Sequence, residues 1–447
     1  EQPQWHPFAI LQEKALLLRV IGRWKEAEAA SRSNLGPALR LGETRVVAQA
    51  RTNLGSILSI TGRHSEALEQ ARAARDLWAA LGDDRGLFSI ATIIGSAHHH
   101  RAEYGEAMEQ YQEGLALARR CDDDRLASQA LTRIGLMRYE MAQFDQSLRT
   151  LTESLELAQR IGSSREIMAA AGNTGNVYLE QEKLDQALSY YQIAYCESLR
   201  IGDKQSIAFS IGNISIIYEK QGKFAEAMEW NLLQNRAFRE IGDRVNLTTN
   251  LLNQGSIHLA LGDVEHAVER FTQAVTLARA NNDKPILSFC LYRLGCICSE
   301  RGRVDEAERL LREAIAVAEE IGFNHYLCAY LGRLARLYQQ TGRAVQATPL
   351  LPRARELARA GERADVLFDL AVTGALIAAG DDQTKAVALL VTLREQPADP
   401  EQQADLLYRL YTLTGDPARR AAAAEAYRVL YRDLPKHAYK KALAELE

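Results

Sequence analysis

The sequence is sparing with the residues that build β-rich folds: aromatics make up 7% and proline occurs 10 times. That scarcity, with alanine and leucine recurring throughout, disfavours a sandwich or barrel and favours helices. No apolar run approaches a membrane span. The longest, Leu370 to Gly380, is far short of the ~20 residues needed and follows Asp365 and Asp369. Neither sign of charge dominates, since 54 basic against 58 acidic residues leave a net −4. That balance argues against nucleic acid and against an anionic membrane surface as partners. Six cysteines in 447 residues do not make a disulfide framework, so reduced thiols and a cytoplasmic location are expected. The N-terminus lacks a basic-then-apolar signal and a starting Met, as expected of a piece of a longer polypeptide. The sequons at Asn213 and Asn246 are read as chance occurrences.

Length alone would suggest about three domains, but internal periodicity overrides it. Alanine stands at Ala27, Ala67, Ala107, Ala187, Ala227, Ala267, Ala307 and Ala347, with Ser147 the one break and every step 40 residues. Twelve positions before each lies a small residue: Ala15, Gly55, Gly95, Gly135, Gly175, Ser215, Gly255, Gly295 and Ala335. Between them come Gly22, Gly62, Gly222, Gly262, Gly302 and Gly342, with Ala102, Ala142 and Glu182 as stand-ins. A second glycine series (Gly42, Gly82, Gly162, Gly202, Gly242, Gly322) closes most units, often followed by Asp, as at Asp83, Asp203 and Asp243.

Glycine just past a helix end takes the left-handed conformation cheaply, and the following Asp caps the next helix. Between these marks the apolar spacing is helical, as in Ile211, Ile214, Ile217 and Tyr218. Each unit therefore reads as helix A, turn, helix B, turn. The small residue on A and the alanine on B mark the close approach of the two helices.

Unit five carries Gly175, Tyr178, Ala187 and Tyr191, and these resemble the small and aromatic positions of the tetratricopeptide repeat (TPR) family. The unit length resembles the 40-residue variant of kinesin light chain and the Leu-Gly-Asn repeat proteins. The family's Trp near the start of helix A is replaced by Ala171, Ile211 or Leu251. The resemblance implies an all-α, right-handed superhelical solenoid of antiparallel helix pairs, with nine units over residues 1–360. Beyond, the register is expected to drift: Gly361 comes one residue early, Gly380 two early, and Pro397 and Pro400 break the chain. Residues 361–447 are expected to form degenerate helical repeats and a C-terminal capping helix.

In this family helix A lines the concave face. With Gly175 as reference, a groove stripe holds offsets −6, −3, −2 and +1. Offset −2 reads Asn53, Ile93, Arg133, Asn173, Asn213, Asn253, Arg293 and Arg333, while offset +1 adds Asn176 and Arg336. Phe209 and Phe289 fall at −6, and Gly172, Gly212 and Tyr292 at −3. An Asn amide offers a donor and an acceptor that match one peptide unit. Asn173, Asn176, Asn213 and Asn253 would thus hold an extended backbone, Arg133, Arg293, Arg333 and Arg336 would fork carboxylates, and Gly172 and Gly212 would keep the floor shallow. The competing reading makes these Asn residues polar filler shared by duplicated units.

The expected function is a non-catalytic interaction module whose groove binds a protein or peptide segment, acidic or carboxylate-ended. Long arrays of this kind resemble sensor arms of bacterial signalling ATPases, cyclases and transcription regulators, so covalently attached effector domains are expected. The alternative is a small-molecule effector receptor, with Phe209, Tyr292, Phe289 and His99 lining a pocket. A purely architectural rod is a third option.

Other chemistry is suggested and then set aside. His98, His99 and His100 point about 100° apart on a helix and cannot converge on one ion. Their repeat equivalent His258 lies far along the stack. Cys290, Cys296 and Cys298 lack a zinc spacing: Cys290 and Cys298 read as buried filler, with Cys296 on the stripe a candidate redox thiol. Gly222-Lys223 lacks the rest of a phosphate loop. No active site, metal or cofactor is expected.

Overall fold

The computed structural model describes residues 5–20, 23–396 and 398–447. Gly22 and Pro397 lie outside the described residues. Every regular element among the described residues is an α-helix, from Trp5–Val20 to His437–Leu446, in tandem antiparallel pairs. None is long and apolar enough to cross a membrane. The chain divides into two compact units, Glu1–Ser206 and Ile207–Glu447.

In the first unit the pairs include Asp84–His100 with Tyr104–Arg120, and Ser164–Glu180 with Leu184–Ile201. The small residue of helix A makes room for the side chain sixteen positions later on helix B. A Cβ on Gly95 would lie 2.6 Å from the Tyr111 ring, and one on Gly175 would lie 2.6 Å from Tyr191. The alanines of the period, such as Ala107 and Ala187, are fully buried beside these rings. Where Ser147 interrupts the series, its hydroxyl donates to the Gly135 carbonyl at 2.7 Å. The second unit mirrors that solution: Ser215 stands on helix A and donates to the Ala227 carbonyl at 2.8 Å.

The turns keep their conformation even where glycine is missing. Ala102, Ala142 and Glu182 sit at φ 58°, 56° and 58°, a left-handed geometry that costs a side-chain-bearing residue roughly 1–2 kcal/mol. The following Asp caps as expected, with Asp83 accepting from the Gly86 amide at 2.9 Å and Asp243 from Asn246 at 3.1 Å.

The second unit corrects the expected drift at Gly361. That residue has an ordinary φ of −96°, and Glu362, in step with Gly322, takes the left-handed position at φ 51°. The register first slips at Gly380, whose φ 57° and ψ −127° suit no other residue type. The end of the chain then returns to the unit's own first helices. Leu434 packs against the cluster of Phe224, Ala227 and Ile257. Pro435 lies over Gly222, where a Cβ would come within 2.4 Å, and His437 over Gly262, within 2.3 Å.

Candidate functional site

Four successive A helices of the second unit, Lys204–Lys220, Arg244–Leu261, Lys284–Glu300 and Asn324–Gln340, carry the stripe. They hold Asn213, Asn253, Arg293 and Arg333 at one repeat position, all half-buried. The side chains of Asn213 and Asn253 have no hydrogen-bond partner among the described residues. Arg293 lies over the Phe271 ring at 5.9 Å, with its Nε buried and unbonded. Arg333 donates to the Cys296 carbonyl at 3.3 Å and to Glu300 at 3.1 Å. Arg336, one turn on, has a buried, unbonded Nε and no ion pair among the described residues. Burial and the adjacent Arg333 charge weaken its hold on its proton.

Arg333 and Arg336 line a cavity together with Tyr292, Gly332, Asp369 and Thr373. Tyr292 stacks on Tyr330 with centroids 4.7 Å apart, and burial pushes its phenol well above the ordinary range. An adjoining cavity is lined by Arg336, Asp369, Gln402, Asp405 and Arg409. Asp369 reaches solvent at the cavity mouth, yet the surrounding protein and the nearby Asp405 charge push its carboxyl up to about 6 against the pull of Arg336. Gln402 donates to Asp369 at 3.3 Å, and Asp405 accepts from the Tyr427 hydroxyl at 2.6 Å.

The acidic members also fall on the stripe, beyond the residues that periodicity alone assigns to it. Taking Ala375 as the next reference after Ala335, offsets −6, −3, −2 and +1 give Asp369, Val372, Thr373 and Leu376, all cavity-lining. The same offsets around Tyr408 give Gln402, Asp405, Leu406 and Arg409. The groove pattern thus runs two units past the point where drift was expected.

The remaining expected residues fall elsewhere. Arg133, Asn173 and Asn176 belong to the first unit. Asn173 donates to its own helix at Ala169 (2.8 Å), Asn176 accepts from Tyr191 (2.8 Å), and Arg133 lies over Tyr111 at 5.7 Å. Phe209, 46% exposed, meets Phe238 edge-on at 6.1 Å. Neither Phe209 nor Phe289 lines the Tyr292 cavity, and His99, in the first unit, stacks on His100.

Gly172 has open space where a Cβ would go, but Gly212 does not provide a shallow floor. A Cβ there would lie 2.1 Å from Nε2 of Gln234, an amide in a buried network with Asn231, Asn235, Asn250 and Gln254. Within the cysteine trio, burial pushes Cys290 up to about 12 and raises Cys296 and Cys298, which disfavours the reactive thiolate.

The profile of the MalT-like TPR region matches residues 205–423, and the tetratricopeptide repeat profile matches residues 46–120 and 126–195. No curated protein matches the chain. Among solved structures, the apo form of RapI is 13% identical with a TM-score of 0.58, over 81% of this chain and 99% of that one. The apo form of the quorum sensor NprR from B. thuringiensis is 13% identical with a TM-score of 0.55, over 76% and 98%. The STAND protein PH0952 from Pyrococcus horikoshii, which has a tetratricopeptide repeat sensor, is 15% identical with a TM-score of 0.57, over 81% of this chain. The match spans 54% of that protein's length. At these identities the likeness is one of fold. Helix pairs in 40-residue register, the glycine–ring contacts of Gly95, Gly175 and Gly255 and the two profile matches lead to one assignment: the chain belongs to the tetratricopeptide repeat family.

Proposed function

We propose that the second unit is a non-catalytic sensor or interaction domain that binds an extended peptide along its A-helix stripe. Asn213 and Asn253 would pair with the peptide backbone, and Arg293, Arg333 and Arg336 would receive an acidic side chain or terminal carboxylate. One observation carries this reading: half-buried amides without partners run, at one repeat position, into half-buried guanidinium groups whose Nε atoms are unbonded. Polar groups held in fixed positions by the surrounding helices lower the ordering cost of an incoming strand. The description of NprR as a quorum sensor and of the PH0952 repeats as a sensor supports the same reading. Attached effector domains and a cytoplasmic setting belong to the proposal.

A peptide array with free acidic C-termini, followed by fluorescence anisotropy, tests the proposal. Asn253→Ala and Arg336→Ala should each weaken the captured peptide about tenfold, and Arg309→Ala on the exposed face of helix B should not. Capture that depends on Arg309 and ignores Asn253 and Arg336 would exclude the groove.

The cavity beside Tyr292 favours one second reading, a small dipolar effector held between Arg336 and Asp369. Saturable thermal stabilisation by a non-peptide compound, lost in Tyr292→Ala, would select it.

A further inference from the structure

Away from the stripe, one turn of the second unit gathers three metal-ligating side chains. His258 lies in the last turn of helix Arg244–Leu261, Asp263 is the N-cap of helix Val264–Asn281, and His266 sits in that helix's first turn. The two imidazole rings stack with centroids 5.3 Å apart. His266 Nδ1 is 2.7 Å and His258 Nδ1 3.2 Å from the same Asp263 oxygen. One ligand atom from each of the three lies within 4.8 Å of the others, the one such group of three among the described residues.

The spacing suits a tetrahedral ion. Metal–ligand bonds of about 2.0–2.2 Å put neighbouring ligand atoms about 3.3 Å apart. The His258–Asp263 pair already stands there at 3.2 Å, the His266–Asp263 pair is about half an ångström closer at 2.7 Å, and no two of the three ligand atoms are more than 4.8 Å apart. His258 Nδ1 is buried and, although it stands 3.2 Å from the Asp263 carboxylate, makes no hydrogen bond of good geometry, so in the neutral tautomer protonated at Nε2 its lone pair faces the same carboxylate that a metal ion would share. Access is open, because the side chains of His266 and Asp263 are 57% and 37% exposed. The nearest cationic side chain on this helix, Arg270, donates to Gln273 at 3.1 Å and lies 3.9 Å from Glu269.

Repeat geometry supplies an internal control. The same two cross-turn positions hold cation–π pairs elsewhere, Tyr178 with Lys183 and Tyr338 with Arg343. In the unit of His98 they hold an imidazole–carboxylate pair, His98 and Glu103, 2.6 Å apart. There the position of His266 is taken by Glu106, and no group of three forms.

We propose that His258, Asp263 and His266 form a binding site for a first-row divalent transition-metal ion such as Zn²⁺, through two imidazole nitrogens and one carboxylate oxygen. The fourth position is left to water or to another ligand. Imidazole donors select this class over Mg²⁺ and Ca²⁺, which prefer all-oxygen sets. A bound ion would brace the turn on which His437 of the last helix rests.

The test titrates the untagged, chelator-stripped full chain with Co²⁺, read by d–d absorption, and with Zn²⁺, read by calorimetry. About one ion per chain is expected. His266→Ala, which removes an exposed ring, should weaken binding at least about tenfold, and Asp263→Asn, which keeps a capping side chain, should do the same. A His98→Ala/His100→Ala double variant should bind as the parent does. Circular dichroism of each variant separates lost ligation from lost fold. No binding at ~1 mM metal, an unchanged titration in well-folded His266→Ala, or loss of binding in the His98/His100 variant would each overturn the site.

Discussion

Gln234 donates its side-chain amide to the Ala208 carbonyl at 3.1 Å, through the space that a Cβ on Gly212 would occupy. Gly212→Ala must therefore evict Gln234 and also break its acceptance from Asn250 at 2.9 Å. The lost bonds of a buried amide cost about 1–3 kcal/mol, against a helix-propensity gain of about 1 kcal/mol. Net destabilisation of about 1 kcal/mol is expected in chemical denaturation. Gly172→Ala, with nothing within 4 Å of the new carbon, should stabilise by up to about 1 kcal/mol.

Glu362 holds the left-handed turn while its neighbour Gly361 does not. Glu362→Gly should raise stability by about 1 kcal/mol, and Gly361→Ala should be close to neutral. Thermal melts of the two variants would check this. A glycine preference at 361 in place of 362 would mean that the register slips where periodicity alone suggests.

Asp369 gives the proposed peptide site a pH dependence. Its carboxyl, pushed up to about 6, binds its proton more tightly in the folded chain than in the unfolded one. Its charge therefore opposes folding above pH 6, and that opposition fades as pH falls from 6 towards the ordinary carboxylate value. The same protonation removes a negative charge beside Arg336. An acidic peptide should bind more tightly at pH 5.5 than at pH 7.5, by about two- to fivefold, through this group. Anisotropy titrations across that range should lose this component in Asp369→Asn.

Much of this was readable without coordinates, because a fixed period carries each substitution to an equivalent place. The turn glycines, the Asp caps, the helix pairing and the stripe from Asn213 to Arg336 all follow from the 40-residue step. What stayed hidden had a local physical cause. Glu362 sits in a conformation that its residue type disfavours, so the continuing register leaves no mark and Asp369 is cut off from the stripe. Gln402 and Asp405 follow the slip at Gly380, where the 40-residue step no longer locates them. The amides of Asn250 and Gln254 lie one position from a groove residue, and burial alone distinguishes them. His258 and His266 are joined by a turn rather than by helical spacing, so no motif pairs them.

Tandem duplication creates many similar apolar faces, and any of them could dock against the wrong neighbour during folding. The carboxamides of Asn231, Gln234, Asn235, Asn250 and Gln254 interlock three consecutive helices, Lys204–Lys220, Phe224–Ile241 and Arg244–Leu261. An exchanged or slipped helix would strand several of those donors and acceptors away from water, a penalty that a methyl-lined face does not impose. The cluster thereby acts as an address within a chain of near-copies, admitting one arrangement of adjacent helices and rejecting its look-alikes.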